Sequence, residues 1–165
     1  EFRPIPAQPT VRDSVAFQAA FAGLLEQLRQ QEHPLYDLDW ETARENFYGA
    51  MRDGLDAELR YITAAGEETT ERETIFADLF EQAQAGLRSR GLSGETAAQY
   101  LWPLRRRARQ GITPAGWKRM RVRENLDDGA DLTVAVEEMQ EAYFERQKRT
   151  LLDGTFSDWF DGTGP

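Results

Sequence analysis

The chain opens Glu1-Phe2-Arg3-Pro4-Ile5-Pro6-Ala7-Gln8-Pro9-Thr10-Val11-Arg12-Asp13-Ser14-Val15-Ala16-Phe17-Gln18-Ala19, and the change of pattern within this stretch decides the fold. Pro4, Pro6 and Pro9 remove backbone donors and fix φ, so residues 1–9 cannot be helical. They read as a strand end, Glu1-Phe2-Arg3, running into an extended linker. From Val11 the apolar residues fall on two helical stripes, Val15-Ala19-Ala22 and Phe17-Phe21-Leu24-Leu28, which together cover more than one face. A central, well-buried helix from Val11 to about Gln31 is expected. The strand end finds no partner in the sequence that follows, so the chain reads as cut from a longer protein whose sheet lies upstream.

Helical punctuation continues to the end. Asp39 is placed to cap a helix from Trp40 to about Arg52, stopped by Gly54, with Trp40, Phe47 and Met51 on its apolar side. Leu59-Arg60-Tyr61-Ile62-Thr63 followed by Ala64-Ala65-Gly66-Glu67 reads as a short strand and turn, room for one small hairpin. Thr70-Glu71-Arg72-Glu73 has the form of a capping box for a helix from Glu71 to Ser89, with Ile75, Phe76, Leu79, Phe80 and Leu87 inward and Gly91 as its stop. Ser93 starts a fourth helix towards Gln110, with Pro103 expected to kink it unless the helix restarts there. Thr113-Pro114 opens a fifth, to about Asp128, and Asp131 caps a sixth from Leu132 to Leu152. Phe156, Trp159 and Phe160 are expected to pack back on the body. The fold class is mainly α: about six helices in one domain over residues 10–165, preceded by a strand remnant and linker over residues 1–9.

Composition narrows the setting. The 165 residues are 40% hydrophobic, enough for a core, and no apolar run approaches the roughly 18 residues of a membrane span. A soluble, cytoplasmic protein is expected. There is no cysteine, which excludes disulfides and thiolate chemistry, and the one histidine, His33, precedes Pro34 at an expected helix end, where a structural or merely exposed role is usual. The 20 bases are 18 Arg and 2 Lys against 29 acids, for a net charge of −9. An acidic, Lys-poor chain suits a high-salt cytoplasm, and a salt-adapted archaeon is the expected source. Residues 96–123 carry eight bases and no acid, leaving −17 on the remainder. The overall charge argues against nucleic acid as a partner.

The triplet Glu1-Phe2-Arg3 carries the most chemistry. Strand alternation puts Glu1 and Arg3 on one face. A carboxylate there is a hard ligand for magnesium, and a guanidinium can grip a phosphate or carboxylate with two hydrogen bonds. The plainer reading is an ion pair, since Glu-x-Arg is a common pattern.

Three blocks together resemble the type 2 glutamate-cysteine ligases of bacteria and archaea, also called carboxylate-amine ligases. They are the opening stretch to Ala19; Glu45-Asn46-Phe47-Tyr48-Gly49-Ala50-Met51-Arg52-Asp53-Gly54-Leu55-Asp56-Ala57; and Gly111-Ile112-Thr113-Pro114-Ala115 with Arg119, Arg121 and Gly129-Ala130-Asp131-Leu132. The resemblance covers nearly the whole chain but only about the last third or more of a full-length member. It implies an α+β parent, distantly similar to glutamine synthetase, that uses ATP and Mg2+ to join the glutamate side-chain carboxylate to the amino group of cysteine through a glutamyl phosphate. The fragment alone is expected to be inactive.

On that resemblance Glu1 is the candidate metal ligand, Arg3 a catalytic phosphate or substrate clamp, and Arg52 a second catalytic arginine. Asn46, Arg119 and Arg121 are candidate substrate- or nucleotide-binding residues. Each has a plainer alternative: Arg52 as a helix-end charge on the dipole, Asn46 as a local cap, Arg119 and Arg121 as part of a solvated basic face. Arg105, Arg106 and Arg107 point in successive helical directions, so at least one is at the surface. Asp53 and Phe47 depart from the family pattern and leave the amine acceptor open, cysteine or another small amine. The expected partners are those substrates, the remainder of the ligase chain and a second copy in a homo-oligomer. A non-catalytic helical structural or interaction domain is the alternative function.

Overall fold

The computed structural model describes residues 7–160, so the strand read at Glu1-Phe2-Arg3 lies outside the described residues. Within them the fold is mainly α. Six α-helices follow in order: α1 Val11–Gln30, α2 Trp40–Asp53, α3 Arg72–Ser89, α4 Gly94–Gln110, α5 Pro114–Asp127 and α6 Leu132–Thr150. Between α2 and α3 lies a two-stranded antiparallel hairpin, β1 Tyr61–Ile62 and β2 Glu68–Thr69, paired Tyr61 to Thr69 and Ile62 to Glu68. The chain forms two compact units, Glu1–Phe17 with Trp102–Pro165 and Gln18–Leu101, the cuts falling inside α1 and α4.

In the unit of residues 18–101, α1 and α3 meet backbone to backbone. A Cβ built on Gly23 would lie 2.2 Å from the Ala83 carbonyl oxygen, and one on Gly86 would lie 1.9 Å from the Gly23 oxygen. This contact corrects the expected burial of α1. Ala16, Ala20 and Gly23 form its buried side, Phe17, Phe21, Leu24 and Leu28 are half-buried, and Val15 and Ala22 are exposed. Only small residues fit between helices this close, so the larger side chains are displaced to the flanks.

The outward face of α2 is a second correction. Trp40, Phe47 and Met51 are 79%, 66% and 66% exposed, and Thr42 is the buried residue of this helix. Polar links hold α2 instead. Asp39 accepts from the Thr42 amide at 2.9 Å and from its hydroxyl at 2.7 Å, and Asn46 binds the backbone of Arg60. The apolar side is left facing away. α3 starts one residue later than the capping-box reading: Glu71 is its N-cap without a side-chain cap bond, while the Thr69 hydroxyl accepts from the Glu71 amide at 3.0 Å. Gly91, at φ 95°, ends it in a Schellman turn with Leu92 N donating to Leu87 O at 3.3 Å.

In the other unit, α5 and α6 form an antiparallel helical hairpin turned at Gly129, φ 97°. Thr113 accepts from Gly116 N at 3.0 Å with Pro114 in the first turn, and Asp131 accepts from Thr133 N and Val134 N. The core is aromatic: Trp117, Met139, Phe156 and Trp159 are buried, flanked by Tyr143 and Phe160. Tyr143 and Trp159 meet edge to face at 5.0 Å between centroids, and Trp117 and Trp159 at 5.4 Å. The tail does fold back, as a 3-10 turn over Phe156–Phe160. Pro103 does not divide α4, which runs unbroken to Gln110. The helix tolerates a proline here and buries its ring.

Candidate active-site residues

A cleft of about 700 Å³ runs along α2 and the segment after it, lined by Arg44, Asn46, Arg52, Glu58 and Arg60 among others. The asparagine is engaged on one neighbour. Asn46 Nδ2 donates to Arg60 O at 2.7 Å, and Arg60 N donates to Asn46 Oδ1 at 2.9 Å. A side-chain amide thereby pairs with the backbone as a strand neighbour would, holding Arg60 against the helix. The Arg60 guanidinium reaches the Thr42 hydroxyl at 3.3 Å and lines both this cleft and a smaller one of about 350 Å³ beside Asp37, Asp39 and Tyr61. The Thr42 amide and hydroxyl hold the Asp39 carboxyl below its ordinary range.

Arg52 is exposed in the last turn of α2, on the same cleft. Charges interleave there: Arg44, Arg52 and Arg60 against Glu45, Asp53 and Glu58. Arg44 also pairs with Glu41 one turn earlier. A surface of this kind does not concentrate simple anions; it suits a ligand that carries both signs, as an amino acid does.

Arg119 and Arg121 lie on α5, in the other unit. Arg119 is exposed. Arg121 donates to Glu124 at 2.6 Å within its own helix and is half-exposed. Nearby on α6, burial pulls the Arg146 guanidinium below its ordinary value, with Arg121 and Arg149 adding repulsion; Arg146 also donates to Trp159 O at 2.8 Å. Glu1 and Arg3 lie outside the described residues. Among the described residues no group of three or more His, Asp or Glu is arranged to hold a metal ion.

Two further clusters hold buried charge. Asp13, fully buried at the start of α1, accepts at Oδ2 from the Thr10 hydroxyl at 2.6 Å and from Phe156 N at 2.8 Å. Arg107 Nη1 stands 3.6 Å from Asp13 Oδ1 and donates to Gln8 Oε1 at 2.7 Å. Its guanidinium is 5.4 Å from the ring centroids of both Phe17 and Phe156. Burial lowers the Arg107 pKa, and Asp13 opposes that shift. Elsewhere, Asp78 gathers three partners. Tyr61 OH donates to Oδ2 at 2.8 Å, Ala64 N to Oδ1 at 3.1 Å, and His33 Nε2 lies 3.4 Å from Oδ2. His33 Nδ1 accepts from Leu35 N at 3.0 Å, so the buried imidazole caps a 3-10 turn. Burial and the Asp78 carboxylate together push the Tyr61 phenol well above its ordinary value.

The family model of glutamate-cysteine ligase family 2 matches residues 1–149. The chain belongs to that family. The match takes in the Glu-x-Arg triplet, the α2 cleft and the arginines of α5 alike, and membership brings a ligase of the carboxylate-amine type. A search of curated proteins finds no match, and neither does a search of solved structures.

For this member of the ligase family, sequence reading overlooked Arg60 and Arg107. Both carried a signal. Alternation along Leu59-Arg60-Tyr61 turns Arg60 away from the buried Tyr61 face, towards α2. Arg107 continues the three-residue spacing of Leu101 and Leu104, both buried, which marks it as the inward member of the Arg105 to Arg107 run.

Proposed function

We propose that the chain is the C-terminal part of an ATP-dependent ligase that joins the side-chain carboxylate of glutamate to the amino group of cysteine or another small amine. A carboxylate oxygen attacks the γ-phosphorus of ATP and ADP leaves; the amine nitrogen then attacks the acyl carbon and phosphate leaves, giving an amide. The observation that carries this reading is the family match over residues 1–149, which includes all six candidate site residues. The interleaved charges of the α2 cleft support an amino acid as ligand.

In this reading Arg3 and Arg52 neutralise charge on phosphate or carboxylate, and Asn46 orients the cleft through Arg60. Arg119 and Arg121 form an anion-binding edge for the nucleotide. Magnesium would shield the phosphates, with Glu1 as the ligand this chain contributes. A cytoplasmic enzyme of a salt-adapted archaeon accords with the net charge of −9.

The test is ADP release by the full-length parent protein. The reading expects release that needs glutamate and an amine together, with cysteine in the panel of amines. Release that ignores both would contradict it. A second reading, a helical interaction domain without chemistry of its own, is favoured by the exposed Trp40, Phe47 and Met51. Under that reading, Arg52→Ala would leave turnover unchanged, while replacing Phe47 and Met51 by serine would change the sedimentation of the parent.

A further inference from the structure

We propose that Arg60 is a specificity-determining residue of the α2 cleft: its guanidinium takes the α-carboxylate of L-glutamate, and Glu58 takes the α-ammonium group. This rests on the reading above, in which the cleft receives an amino acid.

The backbone of Arg60 is fixed more firmly than a surface arginine needs. Asn46 holds its C=O and N–H at 2.7 and 2.9 Å, and the next residue, Tyr61, is buried with its hydroxyl on Asp78 at 2.8 Å. The Asn46 clasp uses the backbone alone, so any side chain at position 60 would serve it. The guanidinium, with its five N–H donors, is left exposed on the cleft, and its bond to a described residue runs to the neutral Thr42 hydroxyl at 3.3 Å. Anchored at its root and open at its tip, it can receive a carboxylate with two hydrogen bonds at little cost in order.

The cleft offers the second sign beside it. Glu58, two residues before Arg60, lines the same cleft, is exposed, and makes no ion pair among the described residues, whereas Arg44 is already held by Glu41. An α-amino acid carries a carboxylate and an ammonium group on one carbon and satisfies both residues at once; a plain anion meets repulsion from Glu58, and a plain cation from Arg60. The reaction says which amino acid. The amine of the acceptor is the nucleophile and must present a free lone pair, which a carboxylate gripping it as ammonium opposes. The α-groups of glutamate pass through the reaction unchanged, so a clamp on both fits glutamate and leaves its side-chain carboxylate to react.

The test titrates the amide resonances of residues 52, 58 and 60 in the 165-residue chain with three compounds: L-glutamate, 4-aminobutyrate, which lacks the α-carboxylate, and glutarate, which lacks the ammonium group. L-Glutamate is expected to bind about tenfold or more tightly than either. Arg60→Met should abolish the preference over 4-aminobutyrate, and Glu58→Gln the preference over glutarate. Because Asn46 bonds only the backbone of residue 60, its side-chain amide resonances should stay in place in Arg60→Met and show the clasp intact. Equal binding of the three compounds, or a preference over 4-aminobutyrate that survives Arg60→Met, would overturn the proposal. In the full-length protein, Arg60→Met should raise KM for glutamate about tenfold at unchanged kcat and unchanged KM for ATP and the amine, with partial recovery in Arg60→Lys. An unchanged KM for glutamate would equally overturn it. A wild type without ligase turnover would refute the function proposed above, while the titration would still decide what the cleft binds.

Discussion

Asn46 holds Arg60 at both its backbone N–H and its C=O, 2.9 and 2.7 Å away, so one side chain replaces a strand partner and fixes the segment that leads into the hairpin. Asn46→Ala removes both bonds and should lower the unfolding free energy by about 1–2 kcal/mol in a urea titration. Asn46→Asp keeps the acceptor and loses the donor. A smaller loss is expected for it, and equal losses for the two variants would show that the pairing contributes little.

The α1–α3 crossing predicts a reversal of helix propensity. Alanine is ordinarily the better helix former than glycine by about 1 kcal/mol. At Gly23 and Gly86 an added Cβ meets a carbonyl oxygen at 2.2 and 1.9 Å, so the helices must separate. Gly23→Ala and Gly86→Ala should each destabilise the protein by about 2–3 kcal/mol. Thermal melts that rise for either variant would mean the helices are not in backbone contact.

The Tyr61–Asp78 bond predicts a dependence on alkaline pH. The Tyr61 phenol titrates higher in the folded state than in the unfolded one, because of burial first and Asp78 second. Its contribution is therefore fully present below the unfolded tyrosine pKa of about 10 and is lost as pH rises from there towards the higher folded value. Tyr143, also raised by burial, adds in the same sense. Tyr61→Phe should flatten the fall in unfolding free energy above pH 10; an unaltered slope would remove Tyr61 from the account.

Asp78→Ala removes the acceptor of Tyr61 OH and Ala64 N and the carboxylate 3.4 Å from His33 Nε2. A loss of about 2–4 kcal/mol is expected in chemical denaturation, larger than for Tyr61→Phe, which leaves the other two partners in place. Equal losses would confine the role of Asp78 to Tyr61.

Much of this was readable from local rules. Asp39, Thr113 with Pro114, Asp131, Gly91 and Gly129 each mark a helix end where one occurs, because a cap depends on residues within a few positions of each other. Which way a helix faces depends on what it meets. The apolar side of α2 was legible as a stripe, but its outward direction follows from the Asn46–Arg60 pairing between segments 14 residues apart. The small-residue side of α1 was outweighed by its larger aromatic and leucine stripes, since side-chain size says nothing of a neighbour's distance. His33 was seen as a residue before proline, while its imidazole is buried against Asp78, 45 positions along the chain. Of the candidate site, Asn46 and Arg52 share a cleft, Arg119 and Arg121 share α5, and Glu1 and Arg3 lie outside the described residues.

In the function proposed above, the Glu-x-Arg triplet of this ligase-family chain supplies part of an active site. The most direct measurement is the rate of ATP-dependent glutamyl-amide formation by the full-length protein with Arg3→Ala, followed by mass spectrometry of the product. A fall of about a hundredfold or more against wild type is predicted, the size that follows loss of a charge-stabilising donor. A near-normal rate would contradict the account.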